Sequence, residues 1–387
     1  MPRVNDLSRS LTALDQDSTL IAVIEMGLKS WQVGALVPGL TRQPLKKLDP
    51  DAAGLLHQLE RWREEAALAG RVVRRICVAY EAGRDGFWLA RWLGSQGIEA
   101  YVMHPTSIPV KRDHRRAKTD RLDVSLLLRA FLGWLRGEAE HCSMVAIPSL
   151  AEEDAKRPSR ERETLIGERT RLTNRMKSTL IRLGVRGFKV TLRKAAEKLE
   201  TLRTAEGVTV PPHTMSELKH DMERLQLVKA QIKAIETARF ERLDQAPEEG
   251  PHAMIRLLAR VMGVGMETAD LLVNEALSRN LRDRRAVARY AGLTGSPDES
   301  GKRRREKGLA RAGNARVRGG MIQLAWRWLI FQKDSELTRW FRQRTADGRK
   351  DVRKTMIVAL ARKLLIMLWR LVTTGQIPDD LVLHPAP

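Results

Sequence analysis

Short apolar runs alternate with amphipathic segments in the first third of the chain. Residues 20–26 (LIAVIEM) and 31–37 (WQVGALV) are separated by a turn, which predicts two adjacent antiparallel strands. The further elements predicted here are a strand in 41–48, a helix over 50–68, a strand over 72–81, a helix over 86–97, a strand over 98–104 and a helix from Asp120 with Thr119 as its N-cap. Strands followed by alternating helices and strands indicate an α/β layer architecture.

The middle of the chain has a different periodicity. Leu165, Leu172, Met176, Leu180 and Leu183 form one stripe along residues 160–183. A second run in 215–235 spaces its apolar residues by threes and fours, which is a coiled-coil pattern. Because a Pro-Pro break at 211–212 lies between the two runs, they predict either an antiparallel helix pair or a dimerising arm. From about residue 251 the pattern predicts a third, helical region with two Gly-rich interruptions.

The composition of the chain favours nucleic acid as its binding partner. The 387 residues carry 69 Lys plus Arg against 47 Asp plus Glu, a net charge of +22, and the pI is near 10.6. A basic excess spread over the whole chain favours a polyanion over a membrane surface. The apolar segment 355–372 is interrupted by Arg362 and Lys363, so we expect no membrane span. The polar N-terminus and the isolated Cys77 and Cys142 predict a reducing, bacterial cytoplasm.

Two aspartates stand in one of the most basic stretches, RRAKTDRLD at 115–123. Asp120 and Asp123, three residues apart at a predicted helix start, project from one helix face. Glu25 and Glu81 end two predicted strands, where open α/β sheets place their sites. Four acids of this kind can hold Mg²⁺ and bring it to a phosphodiester, although an aspartate pair at a helix start also serves as a cap. The surrounding cations predicted to bind nucleic acid are Lys111, Arg112, Arg115, Arg116, Lys118 and Arg121.

These motifs resemble the insertion-sequence transposases of the IS one-ten family. The match lies in a first strand ending in an acid, then YEAGRDGFWLARWL, IEAYVMHP and RRAKTDRLD, where the family has a GIDVSK-like strand, an EATG-like motif and K-T-D-x-x-D. The resemblance implies a RuvC-like ribonuclease H fold with a DEDD tetrad holding Mg²⁺ or Mn²⁺. The tetrad residues would be Glu25, Glu81, Asp120 and Asp123. Glu25 departs from the usual Asp by one methylene, which alters the placement of the ion.

Two signals in the C-terminal region point to phosphate binding. MGVGMETADLLVNEA at 262–276 resembles a helix-hairpin-helix, in which Gly263 and Gly265 would bring backbone N–H groups to a phosphate; an ordinary turn between helices is the alternative. Residues 302–318 hold eight Lys or Arg and one acid, which suits a phosphate-contacting loop. The groups predicted to contact the backbone there are Lys302, Arg303, Arg304, Arg305, Arg311, Asn314, Arg316 and Arg318.

The same region carries the candidate nucleophile. A-G-L, then six intervening residues and S-G-K-x-R, followed by G-N-x-R-x-R, resembles the C-terminal domain of the same transposases. The resemblance implies that Ser300 joins covalently to DNA, while Ser296 is the rival candidate. A serine hydroxyl must be activated to attack phosphate, and nearby cations and metal can stabilise the developing charge. A Ser-Gly pair in a charged segment is also a common turn.

The resemblance implies three domains and a guided reaction. They are a catalytic domain at 1–145, linker and coiled-coil oligomerisation helices at 146–248, and the serine domain at 249–387. A structured bridge RNA would pair with donor and target DNA, and the tetrad of one subunit would act with the serine of another in a dimer or tetramer. Two alternatives stay open: a junction-resolving nuclease that uses water, and a non-catalytic nucleic-acid-binding protein.

Overall fold

Residues 19–24 of the first strand are buried because both faces of the sheet to which they belong are covered. The computed structural model describes residues 8–108, 120–138, 141–279, 281–300, 303–309 and 312–385. Within them the N-terminal strands are β1 (Thr19–Met26), β2 (Trp31–Leu36), β3 (Leu45–Leu48), β4 (Arg75–Glu81), β5 (Glu99–Met103) and β6 (Met144–Val145). The helices of this part are α1 (Ala52–Leu68), α2 (Trp88–Ser95) and α3 (Asp120–Leu135), with a short 3₁₀ turn at Pro105–Ser107.

The six strands make one mixed sheet in the order β3-β2-β1-β4-β5-β6. β1 lies antiparallel to β2 and parallel to β4, and β4 lies parallel to β5. Since parallel neighbours run in the same direction, β1, β4 and β5 end at the same edge of the sheet. β3 and the two-residue β6 are antiparallel strands at the two sides.

Helices cover both faces of this sheet, and the period-two alternation of the strands decides which residues meet them. On one face Leu20, Ala22 and Ile24 of β1 pack with residues of α1 and α2 such as Leu59 and Leu89. On the other face Ile21 and Val23 pack with Cys77 and Ala79 of β4 and with α3. The predicted α/β layer is confirmed, with β6 as an unpredicted addition.

The central coiled-coil pattern forms a helix pair within one chain. The helices here are α4 (Leu150–Asp154), α5 (Arg157–Arg182), α6 (Ala195–Glu200) and α7 (Pro212–Gln245). Arg162 of α5 pairs with Glu236, and Arg175 pairs with Asp221, so α5 and α7 are antiparallel. Most of the predicted stripe residues, including Met176 and Leu225, are buried between them. Of the two predicted alternatives, the antiparallel pair is therefore present.

The C-terminal region packs helices around a separate core centred on Trp328 and Leu364. Its helices are α8 (Gly250–Ala259), α9 (Met266–Leu272), a π-helical turn at Val273–Leu277, α10 (Arg284–Tyr290), α11 (Ala315–Phe331), α12 (Glu336–Arg344) and α13 (Lys350–Thr374). In the ranges that the structure covers, no helix is both long and apolar enough to cross a bilayer.

A β-hairpin interrupts these helices and corrects one prediction. β7 (Gly295–Ser300) pairs antiparallel with β8 (Arg303–Leu309), whereas the sequence predicted an all-helical region with a basic loop. Residues 303–309 are thus strand rather than loop. Their charged sequence, RRREKGL, lacks the apolar alternation by which a strand is recognised.

Candidate active site

Glu25 and Glu81 lie side by side at the ends of two parallel strands. The register pairs Val23 with Ala79 and Ile24 with Tyr80, and one further step brings Glu25 opposite Glu81. Neighbouring strands are about 4.8 Å apart, and equivalent positions point to the same face. Glu25 is half-buried and Glu81 is exposed, as expected for acids where a buried strand reaches the rim of its sheet. The structure thus brings together the two strand acids that the sequence predicted.

The face on which both glutamates lie is the face covered by α3. Odd-numbered residues Ile21, Val23, Cys77 and Ala79 all pack against this helix, and Glu25 and Glu81 continue the same alternation. Even-numbered residues of both strands face α1 and α2 instead. The carboxylates and the helix that carries the two predicted aspartates are therefore on one side of the sheet.

The direction of α3 is fixed at two points. Near its start, Val124 is packed against Gly34 of β2, and a Cβ atom added to this glycine would come within 2.4 Å of the Val124 Cγ1 methyl. At its end, the carbonyl of Trp134 accepts a hydrogen bond of 3.0 Å from the amide of Ser10, which precedes β1. Because Gly34 pairs with Val23 in the sheet, the first turn of α3 lies near Val23, two residues before Glu25.

Asp120 and Asp123 occupy the first turn of α3. Asp120 is its first residue, and its side chain lies outside the described atoms; Asp123 is half-buried. Among the side chains that the structure describes, no three acids, histidines or cysteines stand close enough together to hold a metal ion. Glu25, Glu81 and Asp123 consequently share a face without forming a closed three-ligand cluster.

The cations predicted around the aspartates are only partly placed. Lys111, Arg112, Arg115, Arg116 and Lys118, together with the predicted cap Thr119, lie outside the described residues. Arg121 belongs to the first turn of α3, and its side chain is not described. Nucleic-acid binding by these residues stays a prediction.

Neither cysteine takes part in this site. Cys77 and Cys142 are free thiols buried beneath α3. Burial raises the pKa of each to about 12, and Glu99 beside Cys77 adds to the effect on that residue. Thiols with such a pKa stay protonated at neutral pH, so these two cannot serve as thiolate ligands or nucleophiles there.

Ser300 is the last residue of β7 and pairs with Arg303, the first residue of β8. Glu299 pairs with Arg304 and Asp298 with Arg305, so three predicted cations lie directly across the hairpin from the serine and its neighbours. Ser296 lies near the other end of β7. Lys302 and Arg311 fall outside the described residues, and the hairpin side chains from 296 to 307 lie outside the described atoms.

The remaining predicted phosphate contacts at the start of α11 have partners within the chain. Asn314 is the N-cap of α11 and also donates to Glu275 at 2.9 Å. Arg316 forms an ion pair with Glu163 of α5 at 2.6 Å. Arg318 donates to the carbonyl of Ala312 at 3.2 Å. These contacts give the three residues a structural role, and their contact with phosphate stays a prediction.

The turn containing Gly263 and Gly265 connects α8 to α9. Gly263 has φ +95°, a conformation that favours glycine, and its Cα faces the Phe331 side chain, which would lie 3.1 Å from an added Cβ. Gly265 is the N-cap of α9. Two helices do flank the glycine turn as the sequence predicted. Its use as a phosphate site stays a prediction.

Sequence reasoning missed a group of buried charges between the helix pair and the C-terminal region. Asp270, Glu275 and Arg239 are each no more than 3% exposed. Arg239 pairs with both Glu267 and Asp270, and Ser159 donates to Asp270 at 2.6 Å. The signal available was an acid among the apolar residues of ADLLVNEAL at 269–277, since a buried acid requires a partner. The sequence did not identify that partner.

Comparison with known proteins identifies the family. The profile described as Transposase IS116/IS110/IS902 family matches residues 255–339, which include the hairpin with Ser300 and the start of α11. The putative transposase y4rJ of Sinorhizobium fredii (strain NBRC 101917 / NGR234) is 40% identical over 396 residues, covering 99% of each protein. The aligned length spans both the N-terminal sheet and the hairpin. The chain belongs to the IS116/IS110/IS902 family of transposases, enzymes that cut and rejoin DNA.

Proposed function

We propose that this transposase has a RuvC-like, ribonuclease-H-type catalytic domain at its N-terminus. The sheet supports this proposal: an antiparallel unit of β1, β2 and β3 continues into parallel β4 and β5, with helices on both faces. In such an arrangement the acids of a metal site come from the central strand ends and from a helix packed over them.

The observation that carries the proposal is the juxtaposition of Glu25 and Glu81 beneath the start of α3. All four predicted ligands are carboxylates, the donor type that Mg²⁺ and Mn²⁺ prefer. Glu25, Glu81, Asp120 and Asp123 would hold the ion, which would polarise a phosphoryl oxygen when bound. Glu25 has the longer side chain at a half-buried strand end, so it reaches further from the backbone than an aspartate there.

The covalent step is assigned to Ser300. Its Oγ would attack the phosphorus of one phosphodiester, forming a serine–phosphate ester as the bond to one deoxyribose oxygen breaks. The serine proton is given up, and the released sugar oxygen takes up a proton, so the step is balanced without an oxidant or a co-reactant. Attack by a sugar hydroxyl of the exchanged strand would reverse it. Arg303, Arg304 and Arg305, which pair with Ser300, Glu299 and Asp298, are suited to charge stabilisation on the phosphate.

Guidance and assembly complete the proposal. A structured bridge RNA would select donor and target DNA by base pairing, and the net charge of +22 suits a protein that holds both RNA and DNA backbones. The acids belong to the N-terminal sheet, whereas Ser300 belongs to the C-terminal hairpin. We therefore propose a dimer or tetramer in which the acids of one subunit act with the serine of another.

Removal of single carboxylates tests the acidic site. Glu25→Gln, Glu81→Gln and Asp123→Asn should each lower Mg²⁺-dependent DNA cleavage at least about a hundredfold, since each removes a ligand charge. The matched control is Glu64→Gln on α1, an exposed glutamate on the opposite side of the sheet. Cleavage on a labelled donor–target pair with added RNA is the measurement. Wild-type cleavage by all three variants would overturn the acidic site.

Substitution of the serine separates the proposed chemistry from its alternatives. Ser300→Ala should abolish the denaturation-resistant protein–DNA adduct, because no hydroxyl remains to form the ester. Ser296→Ala on the same strand is the control and should retain it. A nuclease that uses water would keep cutting after Ser300→Ala and would never form an adduct. A non-catalytic binding protein would cut in neither form, and omission of the RNA tests the guidance directly.

A further inference from the structure

The segments that flank the hairpin β7–β8 are joined at its base by a backbone hydrogen bond. The amide of Asn314, after β8, donates to the carbonyl of Tyr290, before β7, at 2.7 Å, while the amide of Leu293 donates to the carbonyl of Ala288 at 2.9 Å and closes the end of α10. Gly313 fits against this junction so closely that a Cβ atom would come within 2.6 Å of the Arg289 and Tyr290 carbonyls. The ends of segment 291–313 are therefore held together at one point, and Asn314 is at that point.

The side chain of Asn314 has two separate functions. Its Oδ1 accepts hydrogen bonds from the amides of Arg316 at 3.0 Å and Val317 at 3.2 Å, which caps α11. Its Nδ2 donates to Oε2 of Glu275 at 2.9 Å. A cap needs only the oxygen, so the second hydrogen bond serves a different purpose.

Glu275 in turn connects the hairpin base to α5. It is 2% exposed and lies in the π-helical turn Val273–Leu277, a distortion that is often found at functional sites. Its two oxygens accept hydrogen bonds from Nε and Nη2 of Arg160 at 2.8 and 3.1 Å. The chain of contacts from Arg160 through Glu275 to Asn314 is thus continuous and charge-assisted.

A second contact ties the same two elements together. Arg316, in the first turn of α11, pairs with Glu163 of α5 at 2.6 Å. Glu163 is one helical turn beyond Arg160, so two successive turns of α5 are connected to the residues that follow the hairpin.

We propose that Glu275 and Asn314 are positioning residues that fix the base of the β7–β8 hairpin to the paired helices α5 and α7. The inference rests on the proposed function, in which Ser300 on this hairpin is the nucleophile. Neither residue touches the reacting atoms. Their effect is that a displacement of the helix pair, as on assembly with nucleic acid or a second subunit, is transmitted to the serine strand.

Two substitutions at Asn314 distinguish positioning from capping. Asn314→Ser keeps an oxygen that can cap α11 and removes the donor to Glu275. Asn314→Asp caps a helix as well as Asn does, but it places a second carboxylate against Glu275. If Asn314 only caps α11, Asn314→Asp should form the adduct at the wild-type rate. If it positions the hairpin, Asn314→Asp should form the adduct more slowly than Asn314→Ser does. Adding Glu275→Gln to Asn314→Asp removes the repulsion and should recover part of the loss.

The control is Asp283→Ser, a change of cap residue in the same region. Asp283 caps α10 through the amides of Arg285 and Ala286 and makes no contact with Glu275 or Asn314 in the described structure. Its adduct formation should match that of the wild type, and its thermal midpoint sets the loss expected from an altered cap alone.

The measurements are the adduct rate at saturating DNA, the DNA affinity and amide hydrogen exchange of segment 291–309, all on the full chain with its RNA. For Asn314→Asp we expect an adduct rate at saturating DNA at least about tenfold lower and faster exchange in the hairpin. The affinity measurement separates this effect from any loss of the phosphate contact predicted for Asn314. Wild-type hairpin exchange together with a wild-type adduct rate would overturn the inference. Adduct formation that persists in Ser300→Ala would instead overturn the proposed nucleophile, while the exchange data would still decide on the positioning role.

Discussion

A missing Cβ atom at residue 34 determines how closely α3 approaches the sheet. Gly34 is a buried strand residue, and the Val124 Cγ1 methyl occupies the space that its side chain would need, 2.4 Å from an ideal Cβ. Glycine is required here because a larger side chain would collide with Val124, and not because the backbone adopts a conformation that favours glycine. A glycine within a strand such as WQVGALV is compatible with the close approach of another group, but nothing in the sequence identifies Val124 as that group.

Gly34→Ala should therefore loosen α3. We expect a cost of about 1–3 kcal/mol, typical of an overpacked core, with faster hydrogen exchange in α3 and weaker cleavage, since Asp123 moves with the helix. Val124→Ala in the same chain removes the opposing methyl, so the double variant should be more stable than the sum of the two single effects predicts. Strictly additive effects would show that the two groups do not compete for this space.

At the scale of elements, periodicity predicted most of the fold. β1 and β4 were predicted because apolar runs of strand length lie between turn residues, and α5 and α7 because their apolar stripes recur at threes and fours. The structure places β1, β4 and α5 within a few residues of their predicted bounds, whereas α7 continues to Gln245, well beyond the run at 215–235 that predicted it. Such elements can be recognised in the sequence because the residues that each one buries recur with the period of a strand or a helix.

The elements that the sequence missed lack such a pattern. β7 and β8, GSPDES and RRREKGL, contain almost no apolar residues, and their pairing depends on the backbone ladder and on their shared base at Tyr290 and Asn314. β6 is only two residues long and is defined by its neighbour β5. In each case the strand is created by a partner segment, which local periodicity cannot reveal.

The candidate site was also predictable only in part. Glu25 and Glu81 were found because strand ends are recognisable in the sequence, and the parallel pairing of β1 with β4 places them together. Glu275 was not found, because its importance depends on Arg160, more than a hundred residues earlier, and on Asn314. The partners of this buried acid are distant in sequence and meet it only in the folded chain, so local sequence patterns cannot predict them.

At the scale of the whole molecule, ion pairs that include the buried Arg239 and Glu275 join the helix pair to the C-terminal region. Arg162 and Arg239 both contact Glu267, and Arg160 contacts Glu275. Buried pairs are poor sources of net stability but fix geometry, because breaking one leaves a charge without its partner. The relative placement of the two parts is therefore specified by charge as well as by packing.

The stability of the contact between the helix pair and the C-terminal region should depend on pH through Glu275. Burial pushes the pKa of this carboxyl up, but the hydrogen bonds and charge of Arg160 and the hydrogen bond from Asn314 outweigh burial and keep the pKa below its ordinary value of 4.5. Glu275 is therefore charged in the folded chain at neutral pH. Its stabilising contribution is fully present above about pH 4.5 and is lost as the pH falls through the lowered pKa.

Glu275→Gln should consequently destabilise the protein in a pH-dependent way. We expect a cost of about 1–3 kcal/mol at pH 7, since a charge-assisted pair is lost. The cost should shrink as the pH falls below 4.5, because protonation of the carboxyl in the unfolded chain then removes the stability that its charge contributes. Thermal midpoints of both proteins across pH 3–7 measure the difference, with Glu64→Gln as the control for the loss of one surface carboxylate. A penalty equal at pH 3 and pH 7 would mean that the charge of Glu275 does not hold this junction, and its partners would then act through shape alone.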